Sequence, residues 1–419
     1  MKDFEQNPPL IVQQATGSYL HTDQGILIDA ISSWWCKSLG HGHPAVMAAI
    51  QKQLTQFEHV IPANTTYPAI VELAEELSAI TQRQHVFFAS DGSSAVEIAM
   101  KLAIHASQLK GYSTRNQFIA LSNSYHGETL ATLGVSDLGL YKKPFSQFNL
   151  PCHFLSPIPY VTDQNDPIWQ SCDASWPTIL QQLESQKDRT YAIIVEPIIQ
   201  GAGGMRCYSA DFLKKLAAFA KQHDIYLIAD EIMTGLGRTG EWLASQHARI
   251  HADMICLSKG LTSGSLPLSC VLIDHPIYEL FYHDHTAGRP FLHSHTYSGN
   301  PLAVSAALAT IKTMRTDNIN HQAQALGACM QRHFAEIIQQ TAKLTNMRSI
   351  GAIVAADLIG PKETRIGYRV AEEAQKRGAL LRPIGNTLYW LPPLTTAHHT
   401  IETLAEITFN AIEAAYQEM

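Results

Sequence analysis

Short apolar runs alternate with helix-like segments along most of the chain, and this alternation constrains the fold more than any other feature. His85-Val-Phe-Phe-Ala-Ser90 reads as a buried strand. Ser93 to Leu109 then reads as a helix, with Val96, Met100, Ala103 and Ile104 on one face. Further strand-like runs occupy 118–122, 192–196, 225–229, 254–258 and 268–273, with a helix over 212–222 and a long irregular stretch ahead of 192. Nearly continuous apolar strands separated by helices imply an α/β fold with a mostly parallel sheet covered by helices. From Pro301 the texture changes to an Ala-rich helix over 301–314, then helices alternating with short strands such as Leu388-Tyr-Trp-Leu391. The expected organisation is a large domain over 44–310 and a smaller α+β domain over 311–419. Residues 1–43, with short strand-turn pieces, are expected to pack with the smaller domain.

Composition narrows the partners. The net charge is −7 and no basic block interrupts it, which argues against nucleic acid. Charged residues make up only 16%, against about one quarter in typical chains, which suggests surface buried in a large fold or an oligomer. The seven cysteines are scattered without a CxxC pair, as in reduced cytoplasmic proteins. The polar start Met1-Lys-Asp-Phe-Glu-Gln6 is unlike a signal peptide, and no apolar run is long enough to span a membrane. Three H-x-H pairs (His41/His43, His283/His285, His293/His295) lack the cysteines or carboxylates that would complete a metal site, so no metal is expected.

Two strand ends carry chemistry. Ile225-Tyr-Leu-Ile-Ala229 runs into Asp230-Glu231, and Met254-Ile-Cys-Leu-Ser258 runs into Lys259-Gly260. A lysine and an aspartate at neighbouring strand ends suit pyridoxal phosphate. The amine forms a Schiff base with the cofactor aldehyde, and the aspartate holds a proton on the pyridine nitrogen. Either residue alone reads more simply as a surface lysine or a turn-opening aspartate. Other strand ends add to the pattern. Asp91-Gly92-Ser93-Ser94 opens a helix, where backbone N–H groups form a phosphate site or a plain N-cap, and the Asp91 side chain should point away. Ser124-Tyr125-His126-Gly127 offers a ring that can stack on a flat cofactor. Glu196-Pro-Ile-Ile-Gln-Gly-Ala-Gly-Gly204 is a Gly-rich turn with one carboxylate. Gly235-Leu-Gly-Arg-Thr-Gly240 matches GxGxxG, but Asp230-Glu231 hold the strand end and no strand-end acid follows at the required distance, so a nicotinamide enzyme is a weak alternative.

In this order, the pieces resemble the class III (omega-type) aminotransferases of the pyridoxal phosphate fold type I, over nearly the whole chain. The most specific stretch is Leu227-Ile-Ala-Asp-Glu-Ile-Met-Thr-Gly-Leu-Gly-Arg-Thr-Gly240 with Leu257-Ser-Lys-Gly260. Within the class, Ile31-Ser-Ser-Trp-Trp35 ahead of Gly40-His-Gly-His-Pro44, Gln200-Gly-Ala-Gly-Gly-Met-Arg206 and Leu381-Arg-Pro-Ile-Gly385 are similar to the diaminopelargonate-forming members of biotin synthesis. The resemblance implies that Lys259 is the Schiff-base lysine and proton shuttle, and that Asp230 pairs with the pyridinium. It places Ile232 on one ring face, Tyr125 on the other with His126 beside it, and Gly92 and Ser93 at the phosphate. It implies that Thr296 reaches the phosphate of a neighbouring subunit in a homodimer. Trp34 and Trp35 would wall the substrate tunnel, and Arg382, with Arg238 sharing the role, would hold the keto substrate's carboxylate.

The implied reaction makes 7,8-diaminononanoate from 8-amino-7-oxononanoate, with S-adenosylmethionine as donor and lysine-using relatives as the exception. Another class III activity, on ornithine, 4-aminobutyrate or an omega-amino acid with pyruvate, is the alternative, and Trp34-Trp35 and Arg382 argue against it. A mutase or decarboxylase using the same cofactor is a further alternative. One departure stands out. Relatives carry a tyrosine-bearing segment ahead of the region matching Pro9-Leu-Ile-Val12, and Met1–Pro8 contains no tyrosine. Phe4 is the aromatic available there, so one side of the tunnel is expected to be more open.

Overall fold

The computed structural model describes residue 5 and residues 8–417; Phe4 lies outside them. The strands in chain order are β1 (Val12–Thr16), β2 (Tyr19–Thr22), β3 (Gly25–Asp29), β4 (His85–Ala89), β5 (Gln117–Leu121), β6 (Cys152–Leu155), β7 (Thr190–Val195) and β8 (Ile199–Gln200). They continue with β9 (Arg206–Cys207), β10 (Tyr226–Asp230), β11 (Met254–Leu257), β12 (Ser269–Ile273), β13 (Leu344–Ile350), β14 (Ile353–Leu358), β15 (Ala379–Leu380) and β16 (Thr387–Trp390).

Seven strands form the central sheet in the order β4-β12-β11-β10-β7-β5-β6. β12 runs antiparallel to β4 and β11, and the remaining neighbours pair in parallel. Every residue of β5, β10, β11 and β12 is buried, as strands covered on both faces must be. The helix Gly92–Leu109 packs on β11 and β12 through a face rich in alanine, including Ala95, Ala99, Ala103 and Ala106. Small side chains there allow close approach of helix and sheet. β6 is an addition to the strands expected from the sequence. It is a short, partly exposed edge strand inside the stretch that reads as irregular.

The N-terminal strands form a second sheet, β1-β2-β3-β15, in which β3 and β15 run parallel with Asp29 opposite Leu380. A third sheet, β13-β14-β16, lies in the C-terminal part. The helix Pro301–Thr316 is continuous through the boundary expected at 310, and it packs against the helices Pro44–Leu54 and Pro68–Thr81. Among the described residues, no helix is long and apolar enough to cross a membrane.

Candidate active site

The parallel arrangement brings the carboxyl ends of β4, β5, β7, β10 and β11 to one edge of the sheet, where open α/β sheets bind their ligands. A cleft of about 240 Å³ lies there. Its walls include Trp34, Trp35, Gly92, Ser93, Tyr125, His126, Glu196, Asp230, Ile232 and Lys259. Residues spread over more than 200 positions of sequence thus meet, most of them because they lie at or just beyond the end of a central strand, with Trp34 and Trp35 coming from a turn after β3.

At one end, Asp91 caps the helix Gly92–Leu109. Its Oδ1 accepts the Ser94 N–H at 3.0 Å, and its Oδ2 accepts the Ser94 hydroxyl at 2.8 Å. The carboxylate is therefore turned to the capping bond, as its awkward place beside a phosphate requires. The first-turn N–H groups of Gly92 and Ser93 have no intrahelical acceptor and carry the positive end of the helix dipole. Close approach is secured by glycines. A Cβ on Gly127, where φ is +125°, would lie 2.3 Å from Ser93 Oγ, and one on Gly92 would lie 3.0 Å from Ile232 Cδ1.

Asp230 sits deeper. One carboxylate oxygen is 2.8 Å from His126 Nδ1, and the other accepts the Ile232 N–H at 3.2 Å. Lys259 follows β11 with φ of 37°, a left-handed backbone unusual for lysine. Burial lowers the pKa of its amine from the ordinary lysine value, and attraction to Asp230 and Glu196 works against that shift. Its Nζ lies 5.1 Å from the centre of the Trp35 ring. Glu196, at the end of β7, accepts N–H groups from Tyr125 at 2.9 Å and Gly201 at 2.8 Å. Burial still pushes its carboxyl up to about 7. The sequence offers Glu196 only as a single carboxylate in a flexible-looking turn. Its strand-end position was the available signal.

The two tryptophans do not lie on a strand. Ser32, Ser33, Trp34 and Trp35 have φ of 50°, 45°, 79° and 72°, one left-handed turn built without glycine. Such a turn costs ~1–2 kcal/mol per residue, so surrounding contacts must hold it. Trp35 is buried, and its indole N–H donates to the Tyr389 hydroxyl at 3.0 Å. Trp34 is half exposed, and the Arg382 guanidinium lies 4.3 Å from its ring centre. Both aromatics can therefore face one cleft, which an extended strand would forbid.

Two further sequence-predicted residues lie elsewhere. Arg238 is buried, and its guanidinium donates to the Pro392 carbonyl at 2.8 Å and the Ala352 carbonyl at 3.3 Å. Burial lowers its pKa to about 9. A second guanidinium nitrogen donates to the Ser32 hydroxyl at 3.4 Å, so Arg238 braces the turn that carries the tryptophans and is not among the residues lining the cleft, against the expectation that it shares the carboxylate contact there. The surrounding Gly235–Gly240 segment is a buried run of turns, not a strand-to-helix phosphate loop. Thr296 is exposed and is not among the residues lining the cleft of its own chain.

The cleft fits pyridoxal phosphate. It has an N–H cradle for a phosphate ester at one end, a buried carboxylate with a histidine behind it, an amine of lowered basicity and an aromatic side chain in its wall. Comparison with known proteins agrees. Residues 1–412 match the family model "Aminotransferase class-III". An adenosylmethionine-8-amino-7-oxononanoate aminotransferase of Helicobacter pylori is 35% identical over 96% of this chain and 92% of its own. One from Synechococcus elongatus is 39% identical over 92% of this chain and 90% of its own. The crystal structure of an adenosylmethionine-8-amino-7-oxononanoate aminotransferase from Methanocaldococcus jannaschii superposes with a TM-score of 0.91 at 29% identity, covering 99% of this chain and 95% of that one. An amine transaminase from an uncultivated Pseudomonas species, solved in its pyridoxal-phosphate-bound form, superposes with a TM-score of 0.89 at 29% identity, covering 98% and 96%. On this evidence the chain belongs to the class III aminotransferases and is a pyridoxal-phosphate-dependent transaminase.

Proposed function

We propose that this transaminase converts 8-amino-7-oxononanoate to 7,8-diaminononanoate in biotin synthesis, with S-adenosylmethionine as amino donor. The observation that carries the reading is the exposed Arg382 guanidinium lying over the ring of Trp34, which is itself a residue of the cleft wall. A guanidinium beside an aromatic wall suits a substrate with an apolar chain and a terminal carboxylate. The names of the Helicobacter and Synechococcus relatives support the same substrate pair.

Pyridoxal phosphate, when bound, supplies an aldehyde for amine exchange and an electron sink for the carbanion. Gly92 and Ser93 would hold its phosphate. Tyr125 and Ile232 would lie on its two faces, and Asp230, oriented by His126, would keep its ring nitrogen protonated. Lys259 would move the donor Cα proton and return one to the acceptor carbon. Its lowered pKa favours the neutral amine this task needs. Arg382 would orient the oxo acid by its carboxylate, and Trp34 and Trp35 would exclude water along its chain.

The same reading makes the active protein a cytoplasmic homodimer. Leu292 and Tyr297, 81% and 62% exposed, lie on the same surface segment as Thr296 and offer apolar contact to a second copy whose phosphate Thr296 would reach. The seven cysteines are all free thiols, which suits a reducing compartment. The pairing of β3 with β15 supports 1–43 and 311–419 as one smaller domain beside 44–310.

A coupled assay with 8-amino-7-oxononanoate and each candidate donor tests the assignment. Diamine formation with S-adenosylmethionine is expected. Turnover with lysine instead would replace the donor. Turnover of omega-amino acids with pyruvate, and none of the oxo acid, would replace the function.

A further inference from the structure

The left-handed turn that carries both tryptophans rests on a residue outside the cleft lining. Asp29, the last residue of β3, is fully buried. Its Oδ1 accepts the Ser33 N–H at 2.9 Å and the Ile31 N–H at 3.3 Å. Its Oδ2 accepts the Ser33 hydroxyl at 2.7 Å and meets His41 Nε2 at 2.8 Å. His41 is itself fixed, because its backbone exchanges two hydrogen bonds with Gly17, at 2.8 and 2.9 Å. A second tie comes from the other side, where Ser32 Oγ donates to the Leu391 carbonyl at 2.7 Å. No residue of the turn is a glycine, so the backbone has no intrinsic preference for this conformation. The carboxylate replaces that preference by collecting the N–H groups on the inside of the turn.

We propose that Asp29, held by His41, is a positioning residue that sets the aromatic wall: it locks Ser32–Trp35 left-handed so that Trp35 meets Lys259 and Trp34 meets Arg382. The contacts that depend on it are the 5.1 Å approach of Lys259 Nζ to the Trp35 ring and the 4.3 Å approach of Arg382 to the Trp34 ring. In the extended backbone that Ser-Ser-Trp-Trp could otherwise adopt, the two indoles point to opposite faces, and in a right-handed turn they leave the backbone in different directions from those seen, so in either case the acceptor's chain loses its wall. This inference rests on the acceptor reading only for the identity of the substrate.

The test uses the holoenzyme. Trp34 and Trp35 have ring centres 6.2 Å apart and planes inclined at 32°, so they should give a coupled tryptophan signal in circular dichroism. The Trp34→Phe variant identifies that signal. In Asp29→Asn the signal is expected to fall, while cofactor content is kept. KM for the keto acceptor should rise roughly ten- to hundredfold, the scale of a lost hydrogen bond to a charged group, a larger change than any fall in kcat of the donor half-reaction through the Trp35–Lys259 contact. Adding Ser33→Gly to Asp29→Asn should restore both signal and KM, because glycine takes the left-handed conformation unaided. A residue needed merely for folding would not be rescued in this way. If Asp29→Asn does not fold, Ser33→Ala, which removes the hydroxyl's contacts with Asp29 and His41 and leaves the Ser33 N–H bond in place, should lower the signal and raise KM in part. An unchanged signal in either variant, or no rescue by glycine, overturns the proposal. The optical signal needs no substrate, so it stands or falls separately from the choice of oxo acid.

Discussion

His126 Nδ1 lies 2.8 Å from Asp230 Oδ2, in a pair joining the loop after β5 to the end of β10. The other Asp230 oxygen accepts the Ile232 N–H, so both oxygens are oriented before any ligand arrives. Asp230→Asn removes the charge that would keep a pyridine nitrogen protonated. Both half-reactions should slow by roughly two to four orders of magnitude, the range associated with a positioned acid–base group. Cofactor retention should change little. Rapid-mixing measurement of each half-reaction decides the matter, and near-normal rates would remove Asp230 from the chemistry.

Lys259→Ala should abolish transamination while cofactor still binds non-covalently in the Gly92–Ser93 cradle. Borohydride treatment of the wild type should attach cofactor to the peptide containing Lys259. Label on a different lysine would refute its role.

Arg382→Ala should raise KM for the oxo acid by an amount equivalent to roughly 1.5–3 kcal/mol, the usual worth of hydrogen bonds to a charged group. The donor half-reaction should be nearly unaffected. Arg238 is not expected to replace it, because that guanidinium donates to the carbonyls of Ala352 and Pro392 and to the Ser32 hydroxyl. Equal damage to both half-reactions would show that Arg382 acts only through its contact with Trp34.

Glu196 gives a pH signature. Burial raises its folded-state pKa from 4.5 to about 7, so the native protein binds this proton more tightly than the unfolded chain. Stability from this group is present below the unfolded value and is lost as pH rises through the folded one. Between about pH 5 and about pH 8, the apoprotein should lose about 2 to 3 kcal/mol relative to Glu196→Gln, which does not titrate. Urea unfolding of both proteins across that range measures the difference, and parallel curves would contradict it.

The sequence makes the central strands legible because burial on both faces leaves nearly unbroken apolar runs, and because Asp230 and Lys259 stand out at their ends. β6 escapes this reading because an edge strand of four residues has only part of its surface covered. The left-handed turn escapes it for another reason. Ser-Ser-Trp-Trp contains nothing that favours positive φ, and the carboxylate that enforces it acts from β3. The His126–Asp230 pair and the diversion of Arg238 into backbone carbonyls also depend on contacts between distant segments. Local pattern identifies such residues without fixing their partners.

The parallel pairing of β3 with β15 has a metric consequence. Asp29 stands opposite Leu380, so the turn bearing Trp34 and the segment bearing Arg382 leave adjacent strands from one rung of the ladder. The distance between anchor and wall is therefore a backbone measure. Inserting one residue between Leu380 and Arg382 would displace the guanidinium by about 3.3 Å and turn it to the opposite face. The acceptable length of an acceptor molecule is, on this geometry, written in strand register, and substitutions confined to the cleft wall would leave that ruler uncut.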